Sequence, residues 1–161
     1  MDRIHKSLRI GMAGWWTWGH VFPIRSLIEF LRETPDFSDQ VERIYRFGSK
    51  RSLEEKVCKD LQWSDHDQGL TFVPICSGKL RRETYRKSQL KNIVDIFRFV
   101  CGLFQSIIQL LVNHVDVVFC KGGYVALPVV LAAALLRKRI IVHESDTHPW
   151  LVNRMASRFA K

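Results

Sequence analysis

An apolar, strand-like run from Leu8 to Ala13 leads into Gly14-Trp15-Trp16-Thr17-Trp18-Gly19-His20, and a helical pattern follows from Val21 to Leu31. A strand, a tight loop and a helix N-terminus together make an anion site. Free backbone N–H groups and the positive end of the helix dipole both point at the ligand. Loops of this kind are normally built from glycine, because the chain must take positive φ and approach the ligand closely. Here three tryptophans stand in the loop, so its composition conflicts with its apparent chemistry. His20 adds an imidazole at the helix start, a group that titrates near neutrality and can accept a proton. The plainer role for such a histidine is to cap or pack the helix start.

Two further segments bring polar chemistry to strand ends. Lys121-Gly122-Gly123-Tyr124 follows the β-branched run Val115 to Cys120. His143-Glu144-Ser145-Asp146-Thr147-His148-Pro149-Trp150 follows the run Arg139 to His143. Each precedes a helical pattern, Val125 to Leu136 and Trp150 to Ala160. The remaining elements alternate in the same way. Val41 to Phe47 and Leu70 to Ile75 read as strands, Leu53 to Leu61 as a short helix, and Trp63 to Gly69 as a polar loop. Asp65, His66 and Asp67 in that loop read as a solvated turn, not a metal site. Strand and helix alternating throughout predicts an α/β domain: a Rossmann-like parallel sheet with helices on both faces. Ligands of such sheets bind beyond the carboxyl ends of the strands. The three loops would therefore line one crevice with backbone donors, imidazoles and two carboxylates. Glu144 and Asp146 read as groups that orient hydroxyls or loop amides, His143 as a buried strand residue. Tyr124 could hydrogen-bond a ligand or pack on the sheet.

Two nucleotide motifs fail. Gly14 and Gly19 have P-loop spacing, but His20 and Val21 replace the lysine and hydroxyl that hold phosphate and magnesium. The second strand ends Arg46-Phe47-Gly48-Ser49, without the carboxylate that a dinucleotide ribose needs.

The chain has 161 residues and a net charge of +9. Its length and 47% hydrophobic content suit one domain with a real core. Cys58, Cys76, Cys101 and Cys120 are scattered and read as reduced thiols of a cytosolic protein, and no signal peptide is visible. More than half the net charge sits in one block: Lys79, Arg81, Arg82, Arg86, Lys87 and Lys91 are opposed by Glu83 alone. Such a block fits a polyanionic partner (anionic lipid, nucleic acid or a phosphorylated substrate) or a solvated loop. It leads into Asn92 to Asn113, a long helical pattern with a narrow polar stripe on an apolar cylinder. Asp95 and Arg98 argue against a membrane-spanning segment. The expectation is a helix whose apolar face packs on the sheet for most of its length, with its first turns and the basic loop left for an anionic membrane surface.

These loops resemble one family closely. GWWTWGHVFP (Gly14 to Pro23) is similar to the GGGTGGHVFP loop of the peptidoglycan N-acetylglucosaminyltransferases, the MurG family. KGGYVALPVVLAA (Lys121 to Ala133), HESDTHPWLVNR (His143 to Arg154) and SGKLRR (Ser77 to Arg82) resemble its other signatures in order. The resemblance implies a two-domain GT-B enzyme, inverting, that moves N-acetylglucosamine from UDP-N-acetylglucosamine to the muramoyl C4 hydroxyl of lipid I, giving lipid II. It implies that residues 1–161 are the family 28 type N-terminal, acceptor-binding domain and that the C-terminal UDP-sugar domain is absent. His20 matches the candidate base. Thr17, Trp18, Gly19, Gly122, Gly123, Tyr124, Glu144 and Asp146 would hold substrate. Lys79, Arg81, Arg82, Arg86, Lys87, Lys91, Ile93 and Phe97 would meet the cytoplasmic face of the inner membrane. The implied partners are UDP-N-acetylglucosamine, lipid I and anionic lipid, with no nucleic acid, cofactor or metal. Two other readings stay open: the acceptor subunit of a two-chain transferase, and a non-catalytic module that binds lipid diphosphate.

The departures from the family pattern are systematic. Trp15, Trp16, Trp18 and Trp150 each stand where the family has glycine. Glycine to tryptophan is the largest volume change available, at positions chosen for having no side chain. Some bacterial lineages read UGA as glycine. On that account the codons at 15, 16, 18 and 150 are UGA, with Trp63 a further candidate, and the loop is GGGTGGH. Sequencing the gene decides it, and UGG at these positions would leave a tryptophan-filled loop instead.

Overall fold

The computed structural model describes residues 7–14, 18–62, 69–78, 86–144 and 151–160. Among these residues five parallel strands form the sheet: β1 Leu8–Ala13, β2 Val41–Gly48, β3 Leu70–Pro74, β4 Val117–Cys120 and β5 Arg139–Val142. Their spatial order is β3-β2-β1-β4-β5. The chain winds outward from β1 through β2 to β3, returns, and continues on the other side of β1. The strand order therefore reverses between β1 and β4.

Among the described residues six helices lie between and after the strands: α1 Trp18–Glu33, α2 Pro35–Ser38, α3 Leu53–Gln62, α4 Arg86–Val112, α5 Ala126–Leu135 and α6 Leu151–Ala156. Strand alternation sends successive side chains to opposite faces. Met12, Ile44 and Leu70 pack with Ile24 and Ile28 of α1 and with Cys58 and Leu61 of α3. On the other face Ala13, Phe47, Val73 and Val118 pack with Leu110 of α4, Val129 and Val130 of α5 and Ala156 of α6. The expected helices on both faces are present.

The strand positions follow the expected ones to within two residues. α1 begins at Trp18, three residues before the expected Val21, so Gly19 and His20 lie in its first turn. Pro23 has no N–H to give the carbonyl of Gly19, four residues back, and so blurs the helix start. α2 was not anticipated. Pro35 sits at its first position, where a missing N–H costs nothing. α6 ends at Ala156, short of the expected Ala160. The Trp63 to Gly69 loop, with Asp65, His66 and Asp67, lies outside the described residues except for Gly69.

Helix α4 departs most from expectation. It starts at Arg86, six residues before Asn92, so Arg86, Lys87 and Lys91 are helical. Arg86 to Lys91 contains no glycine, proline or β-branched residue to stop the helix. The expected burial of its apolar face is also overturned. The inward stripe carries Asp95, Gly102, Ser106 and Leu110, while Phe97, Val100, Phe104, Ile108, Leu111 and Val112 face outward. Close backbone approach explains the inversion. A Cβ on Gly102 would lie 1.9 Å from the Cys76 carbonyl oxygen, and one on Gly78 would lie 1.8 Å from that of Asp95. Residues 76–78 thus run directly along the helix. Cys76 N–H donates to Gln105 Oε1 at 2.8 Å, and Ser106 Oγ–H to Gly102 O at 2.7 Å. Small and polar groups fill this seam because large apolar ones cannot. By length and composition Ile93–Val112 could also cross a membrane, but its inward stripe belongs to the core of this domain.

Candidate active site at the strand ends

The carboxyl ends of β1, β4 and β5 are stitched together beyond the regular strands. Lys121 N–H donates to Ala13 O at 2.9 Å, and His143 N–H to Cys120 O at 2.8 Å. Gly14 is buried at the end of β1, and the chain re-enters the described residues as the first turn of α1, with Trp18, Gly19 and His20. The loop after β4 turns on Gly122 and Gly123, whose φ angles are +98° and +87°. Both lie in the left-handed region, where side chains are strained. Gly123 O then accepts the Ala126 N–H at 3.1 Å, opening α5.

Asn153, in α6, ties the second and third loops to each other. It is 3% exposed, and its Nδ2 donates to Glu144 Oε2 at 2.7 Å and to His143 O at 3.4 Å. Its Oδ1 lies 2.7 Å from where a Gly122 Cβ would sit, so only glycine fits there. Asn153 falls within the segment His143 to Arg154, where sequence alone gives it no role. An amide in a helix that otherwise packs on the core was the available signal. Glu144 is half-buried and is oriented by this contact. Tyr124 is half-buried too. His143 is exposed, contrary to the buried strand residue expected. β5 ends at Val142, so His143 escapes the alternation that would have turned it inward, and its ring lies 6.0 Å from that of Phe119. Cys120 is a poor nucleophile. Burial, with Glu144 nearby, pushes its thiol up to about 11.

The structure places Gly122, Gly123, Tyr124 and Glu144 just beyond the ends of β4 and β5, and Trp18, Gly19 and His20 in the first turn of α1. Thr17 and Asp146 lie outside the described residues, as do Lys79, Arg81 and Arg82. Arg86, Lys87 and Lys91 occupy the first turns of α4, and Ile93 and Phe97 are 53% and 72% exposed just beyond them. Arg46 is a residue that sequence reasoning passed over. It shares the inward register of Ile44 and is 3% exposed. A lone arginine at an inward position of an apolar strand was the visible signal.

An open parallel sheet with glycine-containing loops meeting where its strand order reverses defines a ligand-binding domain of the doubly wound α/β class. The chain belongs to the glycosyltransferase family 28 N-terminal domain family, whose model matches residues 10–161. It is 39% identical over 152 residues to the UDP-N-acetylglucosamine--N-acetylmuramyl-(pentapeptide) pyrophosphoryl-undecaprenol N-acetylglucosamine transferase of Lachnospira eligens, covering 94% of this chain and 38% of that protein. The enzyme of the same name from Borreliella burgdorferi is 34% identical over 151 residues, again covering 94% of this chain and 38% of the relative. The chain thus spans about two fifths of these relatives' length. Among solved structures, MurG of Acinetobacter baumannii matches the fold with a TM-score of 0.70 at 23% identity, covering 96% of this chain and 40% of that one.

Proposed function

We propose that this chain is the acceptor-binding half of a transferase that moves N-acetylglucosamine from UDP-N-acetylglucosamine to the C4 hydroxyl of the muramoyl sugar of lipid I, in peptidoglycan synthesis. The observation that carries this reading is the meeting of the carboxyl ends of β1, β4 and β5 at the β1/β4 strand reversal, joined by Lys121 N–H to Ala13 O and His143 N–H to Cys120 O. That arrangement suits a diphosphate. In this reading Thr17, Trp18, Gly19, Gly122 and Gly123 surround the acceptor diphosphate. Tyr124, Glu144 and Asp146 orient its sugar. His20 takes the proton from the attacking hydroxyl as the glycosidic bond to the diphosphate breaks. UDP-N-acetylglucosamine is held chiefly by a separate donor domain, so this chain alone transfers nothing.

The membrane reading rests on α4. A 27-residue helix is about 40 Å long, well beyond the span of the strands beside it. It follows the carboxyl end of β3, so its basic first turns project past the same sheet edge as the three loops. Lys79, Arg81, Arg82, Arg86, Lys87 and Lys91, with Ile93 and Phe97, would rest there on the cytoplasmic face of an anionic membrane. Each cation contributes about 1 kcal/mol, an attraction that salt screens.

Vesicle cosedimentation tests both halves of the proposal. Binding to anionic vesicles should fall with salt, and binding to neutral ones should be slight. The triple variant Arg81→Glu, Arg82→Glu, Arg86→Glu should lose it and keep its fold. Lipid I in the vesicles should add further binding. Equal recovery with neutral and anionic lipid sinks the membrane surface, and no gain from lipid I sinks the acceptor site.

A further inference from the structure

Beside the carboxyl end of β1 lies a buried pair of opposite charges that the reading above does not use. Arg46 projects from β2 towards the end of β1. Its Nη1 donates to Met12 O at 3.2 Å and to Phe47 O at 2.9 Å. Its Nη2 lies 3.8 Å from where a Gly14 Cβ would sit, and among the described residues it has no hydrogen-bond partner. Glu54, in the first turn of α3, is 1% exposed, and neither of its carboxylate oxygens has a partner among the described residues. It lies against the end of the same strand, its Cβ 3.3 Å from where a Gly48 Cβ would sit. The two side chains share a cavity of about 10 Å³ with Ile24, Val57 and Cys58. Burial pulls the Arg46 guanidinium down to about 10, and the charge of Glu54 opposes that. Arg46 therefore remains a cation at neutral pH.

A buried cation with a free donor is costly unless something compensates it. Glu54 compensates part of the charge without a direct hydrogen bond. The positive end of the pair stays turned towards Gly14, at the end of β1. The aliphatic start of buried Lys121 closes the other side of Gly14, its Cβ 3.2 Å from the same point.

We infer that Arg46 is a positioning residue for a diphosphate bound at the carboxyl end of β1: it braces that strand end and supplies positive potential there, and Glu54 tempers that potential. This rests on the diphosphate reading of the site. The charge acts at short range from a water-poor interior, where it is screened far less than a surface lysine.

The two members of the pair predict opposite signs. With inorganic pyrophosphate as the probe, calorimetric titration should show Arg46→Met binding roughly tenfold more weakly and Arg46→Lys in between. Glu54→Gln should bind roughly twofold to threefold more tightly, because the cation loses its counter-charge. Both changes should lower thermal stability. A purely structural pair would weaken binding in both variants or change it in neither, and either result overturns the inference. Should Arg46→Met fail to fold, the direction of change in Glu54→Gln decides. If the unmodified chain and its Trp15→Gly, Trp16→Gly, Trp18→Gly variant both fail to bind pyrophosphate, the diphosphate reading falls and takes this inference with it. Normal binding with unshifted variants removes only the inference.

Discussion

Replacing His20 with alanine, in this chain joined to the donor half of the Lachnospira eligens relative and carrying glycine at 15, 16 and 18, should lower turnover by about 10²–10⁴-fold. That corresponds to about 3–5 kcal/mol of barrier. The expectation comes from position. His20 lies in the first turn of α1, the helix that follows β1. A base there would face a sugar hydroxyl whose diphosphate sits on the neighbouring amides. Loss of a base removes an interaction made in the transition state, so kcat and kcat/KM should fall together while acceptor affinity changes little. The acid limb of the kcat/KM pH profile should also disappear. Unchanged turnover, or a loss confined to KM, would assign His20 to the helix start.

Gly102→Ala should destabilise the domain by about 1–3 kcal/mol, measured by urea unfolding. The sign is the point. In an ordinary helix interior the same change stabilises by about 1 kcal/mol, because glycine is a poor helix former. Here the added methyl would lie 1.9 Å from the Cys76 carbonyl oxygen, a backbone atom that cannot rotate away. Residues 76–78 would have to lift from α4, stretching the Cys76 N–H bond to Gln105. A neutral or stabilising result would show that this seam is loose. The basic block, which follows that segment directly, would then lack the anchor described above.

The parallel sheet was legible because its strands are short, apolar and bounded by turn chemistry. Leu8 to Ala13 needed nothing beyond its own composition. The three loops were legible for a related reason: in a doubly wound sheet, whatever follows a strand lies at the binding edge. Helix α4 was not. Its periodicity correctly gave two faces, but periodicity cannot say which face turns inward. Hydrophobicity pointed to the apolar side. The sheet instead took the side with Gly102 and Ser106, because residues 76–78 run too close for large side chains. Asn153 and Arg46 escaped notice because each acts across distant segments. Asn153 matters only once α6 lies over the loops after β4 and β5, and Arg46 only once β2 lies beside β1.

The central place of β1 has a consequence for synthesis on the ribosome. One neighbour, β2, begins at Val41, but the other, β4, begins at Val117. At about 5–20 residues per second, roughly 5–20 s separate the emergence of β1 from that of its second partner. In that interval the half built from β1, β2, β3, α1 and α3 can close around its own apolar cluster, since every residue of that cluster's buried set precedes Thr71. Its opposite face, with Ala13, Tyr45 and Phe47, must wait uncovered, and so must the free edge of β1. The nascent chain therefore carries an unpaired strand edge beside an open apolar face, the combination most prone to pairing with the wrong molecule. It sheds both only when the segment from α4 to β4 arrives.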